Sequence, residues 1–225
     1  MHSNIITEKV KKVYDSIAAE FAQTRNFPWK EFEVYNAFYR KDFSVLDLGC
    51  GNGRLLLYLK KHGYADYVGV DQSKELLKFA KKDFPRQQFL LHDITKKIKF
   101  KKKFNAVFFA ASFHHIPPDL QLRTLKIARF HLKKGGFIFM SNWNLHQRRF
   151  FLIFLRSILA PGYGRSAFMI PWRNKLERYY YRFTKRRLAS LFREAGLKVL
   201  LNDYYCGSEK SGVFKAKNII TIGVK

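Results

Sequence analysis

The 225-residue chain has little cysteine and no long hydrophobic run, and we expect no secretion signal. Its two cysteines, Cys50 and Cys206, are too few for a disulfide framework or a zinc quartet, and we predict no metal site. The apolar run nearest to a membrane segment, Phe150 to Leu155, ends at Arg156 and is far shorter than the roughly 20 residues that span a bilayer. The first residues lack the apolar core of a signal peptide. These absences predict a protein without a transmembrane segment, in a reducing cytoplasm.

Acidic residues are also few. The chain has 17 Asp and Glu against 43 Lys and Arg, a formal net charge of +26. Such an excess favours a polyanionic partner, either nucleic acid or an anionic membrane. The alternative explanation is genomic, because Lys, Phe, Ile, Asn and Tyr rise together in proteins from AT-rich genomes. That bias explains clustered arginines less well than lysines, so we prefer nucleic acid.

One segment combines a buried-strand pattern with a glycine-rich turn. Residues Val45 to Gly53 read Val-Leu-Asp-Leu-Gly-Cys-Gly-Asn-Gly, and Asp71 ends a second apolar run about twenty residues later, where its carboxylate can bind ribose hydroxyls. Glycines allow positive φ and close approach of a ligand to the backbone. The dinucleotide pattern Gly-x-Gly-x-x-Gly does not fit, because Arg54 stands where its last glycine would be. We predict a nucleoside-type cofactor over the first two strands; a turn without a ligand is the alternative.

Predicted strands and helices alternate through the first part of the chain. Strands are expected at 43–48, 67–70, 88–91, 105–111 and 137–142, and helices at 54–61, 73–83 and 119–132. This alternation predicts a parallel sheet with right-handed crossovers. Residues 145–160 are expected to be helical and 161–183 irregular, before a helix at 184–195 and strands near 197–205 and 217–224. We predict a single domain over residues 1–225, with two N-terminal helices within 4–40 and a basic, aromatic insertion at about 145–183.

The Asp-x-Gly-x-Gly-x-Gly pattern that begins at Asp47 resembles the class I S-adenosylmethionine methyltransferases. The resemblance implies an α/β, Rossmann-like fold: a mostly parallel seven-stranded sheet with an antiparallel C-terminal hairpin and helices on both faces. It also implies S-adenosylmethionine as the cofactor. The expected cofactor-binding residues are Asp47, Gly49, Gly51, Asn52, Gly53, Asp71, Gln72, Asp93, Ile94 and Ala110. Asp93 matches the position that contacts adenine, with Ile94 covering the ring; a capping role ahead of Thr95 is the alternative.

A second set of motifs resembles a narrower family, the tRNA wobble-uridine methyltransferases, which esterify carboxymethyluridine in the anticodon loop. The motifs are Thr24-Arg25, Pro28-Trp29, His114-His115, Trp143-x-x-x-Gln147, Pro171-Trp172-Arg173 and Arg178-Tyr179-Tyr180. The resemblance implies tRNA or another RNA as the substrate and a small zinc-protein activator as a partner. The chain departs from the family after the double histidine, beside Arg123, and at Asn144 and His146. These departures leave the cofactor site intact and the exact substrate open.

A carboxylate acceptor is ionised at neutral pH, since its pKa is about 4, and its methylation needs no general base. The expected catalytic residues are therefore Arg25, whose planar fork suits a carboxylate, and His114 or His115. If the histidines are extended, their side chains point to opposite sides. The expected substrate-binding residues are Tyr14, Arg25, Trp29, Trp143, Arg148, Arg149, Trp172, Arg178 and Tyr180.

The segment from Arg148 to Arg187 has eleven basic residues and one acid, Glu177. Tyrosines at 163, 179, 180 and 181 are interleaved with them, a pattern that suits phosphate contacts and base stacking. For the lysines at 96–103 we favour a solvated loop over an RNA contact.

Two other functions fit the sequence. The Phe150 to Leu155 run, flanked by arginines, could place a small-molecule or lipid methyltransferase at an anionic membrane surface. The chain could also be a non-catalytic module that binds S-adenosylmethionine or RNA.

Overall fold

The computed structural model describes residues 2–153, 155, 166–172 and 176–225. Its α-helices include α1 (His2–Ser16), α2 (Ala18–Gln23), α3 (Arg54–His62), α4 (Lys74–Asp83), α5 (Pro118–His131) and α6 (Lys185–Glu194). Its strands are β1 (Ser44–Leu48), β2 (Asp66–Asp71), β3 (Gln88–Leu91), β4 (Phe104–Ala110), β5 (Leu132–Trp143), β6 (Ala167–Trp172), β7 (Leu176–Tyr181), β8 (Lys198–Cys206), β9 (Glu209–Lys210) and β10 (Asn218–Val224). Short 3-10 segments lie at Lys30–Ala37, Phe113–His115 and Arg148–Phe150.

The main sheet has the order β3-β2-β1-β4-β5-β10-β8-β9. Strands β1 to β5 are parallel, whereas β10 is antiparallel to both β5 and β8. The predicted α/β fold with an antiparallel C-terminal hairpin is therefore confirmed. All seven predicted strands are present, and the two-residue β9 adds an eighth at the edge. The chain reverses its direction of travel across the sheet between β1 and β4, and such a switch point is where open α/β sheets bind ligands.

Alternating side chains of the central strands form a separate core on each face of the sheet. On one face Phe108 and Phe139 stack with ring centroids 4.7 Å apart, and Tyr35 packs on Phe139 at 5.1 Å. The other face buries Val107 and Phe109 against α5 and α6. The core thus accounts for much of the aromatic content.

The N-terminal segment differs from the predicted pair of helices. α1 and α2 are separated by a break at Ile17, and the segment after Pro28 is a 3-10 helix that begins at Lys30. Trp29 before it is extended, with φ of −79° and ψ of 137°. The second of the two helices predicted within 4–40 is therefore a 3-10 helix and not an α-helix.

The insertion was also predicted incorrectly between residues 167 and 181. These residues include an antiparallel hairpin, β6–β7, that packs Ala167 and Tyr179 against Ile6 and Val10 of α1. A two-stranded sheet has only edge strands, so it accommodates Pro171. Residues 156–165 and 173–175, which include Tyr163 and Arg173, lie outside the described residues.

Within the described residues no helix has the length and apolar character needed to cross a membrane.

We predict that Gly69→Ala lowers the free energy of unfolding by about 1–3 kcal/mol, because an added methyl group overpacks the core. A Cβ at Gly69, in the middle of β2, would lie 2.8 Å from Cδ1 of Phe89 and 2.9 Å from Sγ of Cys50. Urea unfolding followed by circular dichroism measures the change. The control is Gly212→Ala, where an added Cβ meets nothing within 4 Å. Equal unfolding midpoints for the two variants would show that the neighbours of Gly69 move aside freely.

Candidate active site

A cleft opens at the carboxyl ends of β1, β2 and β4. It has about 960 Å³ of empty space, counting its open mouth. Thr7, Val10 and Tyr14 of α1 form part of its wall. Among the predicted cofactor residues, those that line the cleft are Asp47, Gly49, Gly51, Asn52, Asp71, Gln72, Asp93, Ile94 and Ala110. Gly53 is not in the lining and instead precedes α3, with φ of +81°.

The glycine turn is held against the end of β2 by Asp71. Oδ2 of this buried carboxylate accepts the N–H of Gly51 at 2.7 Å, and Oδ1 accepts the N–H of Ser73 at 2.8 Å. Gly49 has φ of +80°, and a Cβ there would lie 2.3 Å from Cβ of Ser112. The turn therefore requires glycine both for its conformation and for its close approach to the residues after β4.

Asp47 lies at the base of the cleft with one oxygen unsatisfied. The hydroxyl of Tyr67 donates to Oδ2 at 2.9 Å, while Oδ1 is buried without a hydrogen-bond partner among the described residues. Burial raises the pKa of Asp47 to about 7, against the opposing hydrogen bond from Tyr67. Such an atom suits a positively charged ligand group, because a buried carboxylate oxygen is costly to leave unpaired.

Arg54 is a lining residue that we did not assign to the site from the sequence. Its side chain is buried between Phe27 and Trp29, whose ring centroids lie 5.3 and 4.5 Å from the guanidinium carbon. Nη2 is buried and has no hydrogen-bond partner among the described residues. Burial, with repulsion from Arg25, lowers the pKa of Arg54 to about 9. The signal in the sequence was its position in place of a glycine, at the start of α3.

Asp93 lines the cleft but also makes local hydrogen bonds. Its Oδ1 accepts the N–H of Thr95 at 2.9 Å and the hydroxyl of Thr95 at 2.7 Å. These hydrogen bonds close a turn, and no helix begins after Asp93, so the alternative of a helix cap was wrong. The contact with adenine stays a prediction.

The two histidines lie on a single 3-10 turn and are not extended, so the condition under which their side chains would point to opposite sides is not met. Nδ1 of His115 lies 2.7 Å from the backbone carbonyl of Tyr179, which can only accept, so Nδ1 carries the proton of the neutral ring. Nε2 accepts the hydroxyl proton of Tyr14 at 2.8 Å. Burial lowers the pKa of His115 to about 3, against the hydrogen bond to Tyr179 and aided by the charge of Arg178. His115 therefore orients Tyr14 at the cleft wall and is a weak base.

His114 lies behind the cleft wall rather than in it. Its Nδ1 accepts the N–H of Trp143 at 3.3 Å, and its ring stacks on Tyr180 at 4.9 Å. Burial lowers the pKa of His114 well below its usual value. Trp143 also stacks on Tyr180, at 5.1 Å, and its ring lies 6.1 Å from that of His114. Neither His114 nor Trp143 is among the residues that line the cleft.

Arg25 lies beside the cleft and outside its lining. Its guanidinium carbon is 5.5 Å from the ring centroids of both Phe21 and Trp172. Its backbone carbonyl accepts Nδ2 of Asn52 at 3.2 Å and Nε of Arg54 at 3.4 Å. Arg25 therefore positions two lining residues through its main chain. Of the other predicted substrate residues, Tyr14 and Trp29 line the cleft.

Several predicted RNA contacts are placed differently from the expectation. Trp172, Tyr179 and Tyr180 are buried and do not offer faces on which bases could stack. Arg148 and Arg149 are exposed, and Arg178 is buried. Residues 96–103 form an irregular segment in which Lys96 pairs with Asp93. The described residues contain no group of three His, Cys, Asp or Glu side chains that could hold a metal ion.

Comparisons with known proteins agree with this geometry. A family model described as a methyltransferase domain matches residues 8–204. The tRNA (carboxymethyluridine(34)-5-O)-methyltransferase of Schizosaccharomyces pombe is 25% identical over 221 residues, covering 88% of this chain and 92% of the yeast protein. The tRNA (carboxymethyluridine(34)-5-O)-methyltransferase alkbh8 of Xenopus tropicalis is 31% identical over 147 residues, covering 64% of this chain. The ubiquinone biosynthesis O-methyltransferase of Coxiella burnetii is 35% identical over 123 residues, covering 53% of this chain.

The chain spans different shares of these relatives: 22% of the Xenopus protein and 50% of the Coxiella protein. Among solved structures, a SAM-dependent methyltransferase of Methanosarcina mazei has a TM-score of 0.73 at 17% identity, covering 85% of this chain and 96% of that one. A chain from the complex between the Haloferax volcanii Trm112 methyltransferase activator and a methyltransferase has a TM-score of 0.70 at 19% identity, covering 96% of this chain and 96% of that one. At these identities the similarity concerns the fold. Because the family model matches most of the chain, and the cleft lies at the switch point of the sheet, this protein belongs to the methyltransferase domain family.

Proposed function

We propose that this protein transfers a methyl group from S-adenosylmethionine to the carboxylate of a carboxymethyl-type wobble uridine in tRNA. The relatives from Xenopus tropicalis and Schizosaccharomyces pombe are named for this activity. The observation that carries the proposal is the engagement of both ring nitrogens of His115, which lines the cleft: Nε2 with the hydroxyl of Tyr14 and Nδ1 with the carbonyl of Tyr179, while burial lowers the pKa of the ring. His115 is therefore a poor proton acceptor at neutral pH. A site with such a group suits an acceptor that is already ionised.

S-adenosylmethionine is the methyl donor, and the polar atoms of the cleft match its groups. The free lone pairs of Asp71 suit the ribose hydroxyls, since a carboxylate oxygen accepts more than one hydrogen bond. Oδ1 of Asp47 suits the ammonium group, and Nη2 of Arg54 suits the carboxylate; both atoms are buried without partners among the described residues. We assign the adenine to Asp93 and Ile94, which follow β3 and line the cleft.

The bound donor supplies a methyl group on a positively charged sulfur. A carboxylate oxygen of the acceptor bonds to the methyl carbon as the carbon–sulfur bond breaks, and the electron pair returns to sulfur. The acceptor becomes a neutral ester and no proton moves. The protein must therefore align the reacting atoms and exclude water. Tyr14, hydrogen-bonded to His115 and packed edge-on against Phe21 at 5.5 Å, lines the cleft where we expect the acceptor to enter.

Exposed arginines near the insertion provide contacts for RNA. Arg148, Arg149 and Arg186 are exposed, and Arg156, Arg165, Arg173 and Lys175 lie outside the described residues. Cations of this kind bind phosphates and position a nucleic acid without reading its sequence. The cytoplasm is the expected location of this activity. A small activator protein is a further expected partner, because a fold neighbour is bound to the Trm112 activator.

A second function is supported by a different observation. Phe151, Leu152 and Leu155 are exposed beside Arg148 and Arg149, a combination that suits an anionic membrane surface. The relative from Coxiella burnetii is named for ubiquinone biosynthesis. The alternative is therefore a methyltransferase that acts on a small molecule or lipid.

We predict that Asp71→Ala lowers the affinity for S-adenosylmethionine by at least about 10-fold, because it removes the ribose acceptor and frees the N–H of Gly51. Isothermal titration calorimetry measures the affinity. Asp66→Ala is the matched control, since Asp66 is at the opposite end of β2 and contacts Lys102. Unchanged affinity in Asp71→Ala would contradict the assignment of this cleft to the donor.

Donor affinity should rise between pH 5.5 and about 7, as Asp47 loses its proton and can bind the donor ammonium. The sign follows from the raised pKa of Asp47, about 7, which leaves the carboxyl largely neutral below that pH. The measurement is a calorimetric series in pH, with Asp47→Asn as the variant in which this dependence should disappear. An equal pH dependence in both proteins would assign it to another group.

For the RNA substrate, we expect incorporation of labelled methyl groups into tRNA, and tRNA binding that weakens steeply with salt. Removing one phosphate contact reduces the slope of log K against log salt by about 0.9 or less. The double variant Arg148→Gln/Arg149→Gln should therefore show a shallower slope than the wild type. Lys81→Gln/Lys82→Gln, at the far end of α4, should not.

Two results would decide against tRNA. Pelleting of the protein with anionic liposomes, combined with salt-independent retention of RNA, would favour the lipid methyltransferase. Nucleoside mass spectrometry of tRNA from a deletion strain that shows every methyl ester intact would also oppose the proposal.

A further inference from the structure

Arg178 is a buried cation without a carboxylate partner. Its side chain is 4% exposed, and its Nε is buried without a hydrogen-bond partner among the described residues. All 17 acidic residues of the chain lie in the described ranges, and none of the ion pairs there includes Arg178. A buried charge normally requires a partner of opposite charge, because its desolvation costs several kcal/mol. No acidic side chain in these described ranges therefore serves as the counter-ion of Arg178, and a bound anion can take this role.

Aromatic rings hold the guanidinium in place. Its carbon lies 4.7 Å from the ring centroid of Trp172, 5.2 Å from that of Tyr180 and 5.6 Å from that of Trp143. Cation–π contacts of this kind offset part of the desolvation cost but satisfy no N–H donor. The cage thus fixes the plane of the guanidinium. The guanidinium hydrogen-bonds Tyr14, whereas its Nε has no partner within the described part of the chain and is left for an anion.

The cage adjoins the donor cleft. Arg178 and Tyr180 share one face of β7, and the intervening Tyr179 uses its carbonyl to hold His115. Tyr14, which lines the cleft, is the side chain between the cleft and Arg178 and interacts with its guanidinium. The positively charged guanidinium of Arg178 therefore lies behind Tyr14, at the end of the cleft that we assign to the acceptor.

Arg25 is the other cation near this end, and the two differ in burial. Trp172 lies between them, 5.5 Å from the guanidinium carbon of Arg25 and 4.7 Å from that of Arg178. Arg25 is partly exposed, whereas Arg178 is almost fully buried. A charge acts more strongly in the buried environment, where the effective dielectric constant is lower.

We propose that Arg178, and not Arg25, is the residue that makes this enzyme select an acceptor with a negatively charged carboxylate. The side chain of Tyr14 moves aside when the substrate enters. The N–H groups of the guanidinium that have no partner among the described residues then donate hydrogen bonds to the acceptor carboxylate. Arg25 contributes to overall RNA affinity and does not distinguish a charged acceptor from a neutral one. This inference rests on the proposed function, since it assigns the specificity of the same site.

The test compares two anticodon stem-loops, one with carboxymethyluridine and one with its neutral carbamoylmethyl isostere. Binding is followed by tryptophan fluorescence in the presence of S-adenosylhomocysteine. The wild type should prefer the carboxylate by roughly 10- to 100-fold, the range of a hydrogen bond to a charged group. Arg178→Gln and Arg178→Met should bind both stem-loops within about 3-fold of each other. Met is included because its apolar chain fills the cage.

Control variants separate charge selection from structural damage. Arg182→Gln removes another arginine of the same hairpin region and should keep the wild-type preference. Arg25→Gln should weaken both stem-loops equally. The affinity for S-adenosylmethionine, measured by calorimetry, should stay at the wild-type value in the Arg178 variants. This result would show that the variants are folded.

Two outcomes distinguish this inference from the proposed function. A folded Arg178→Met protein that keeps the preference for the carboxylate would overturn the inference, even if the wild type methylates tRNA. Loss of the preference in Arg25→Gln alone would overturn it as well. If the wild type methylates no tRNA but prefers the carboxylate through Arg178, the proposed function fails and the inference stands.

Discussion

Both carboxylate oxygens of Asp71 are hydrogen-bonded, and the arrangement of the cleft follows from those bonds. One oxygen holds the N–H of Gly51, and the other holds the N–H of Ser73 at the start of α4. The hydroxyl of Ser73 in turn donates to Asp15 of α1 at 2.6 Å. One connected set of hydrogen bonds therefore fixes the glycine turn, the end of β2 and the helix that covers the cleft. These groups are strong together because they are buried, where hydrogen bonds compete little with water.

The acceptor side of the site is built from parts of the chain that are distant in sequence. The β6–β7 hairpin packs on α1 through Ala167 and Tyr179, and this contact brings β7 beside the histidine turn. Tyr14 from α1 then meets His115 from the end of β4. The insertion is therefore part of the site rather than a separate attachment to the sheet.

Desolvation has the same effect on several ionisable groups of the site. It raises the pKa of Asp47 to about 7, and it lowers that of Arg54 to about 9 and that of His115 to about 3. In each case burial disfavours the charged form of the side chain. The groups that remain without internal partners, Oδ1 of Asp47 and Nη2 of Arg54, are those that best match the charged ends of an amino acid. The net charge of the chain is a separate matter, because surface lysines such as Lys101 contribute to it without entering the cleft.

The sequence by itself determined the sheet and the donor side of the site. The evidence was strand periodicity, the glycines at 49 and 51, and an acid at the end of the second strand. Each of these patterns involves residues that are close together in sequence, so it is visible without the tertiary structure. Only the tertiary structure decided the rest. The β6–β7 hairpin was missed because Pro171 and charged neighbours obscure its alternation, and it forms by packing on α1. Likewise, the burial of Arg178 and the orientation of His115 depend on contacts across more than 30 residues, which no local pattern encodes.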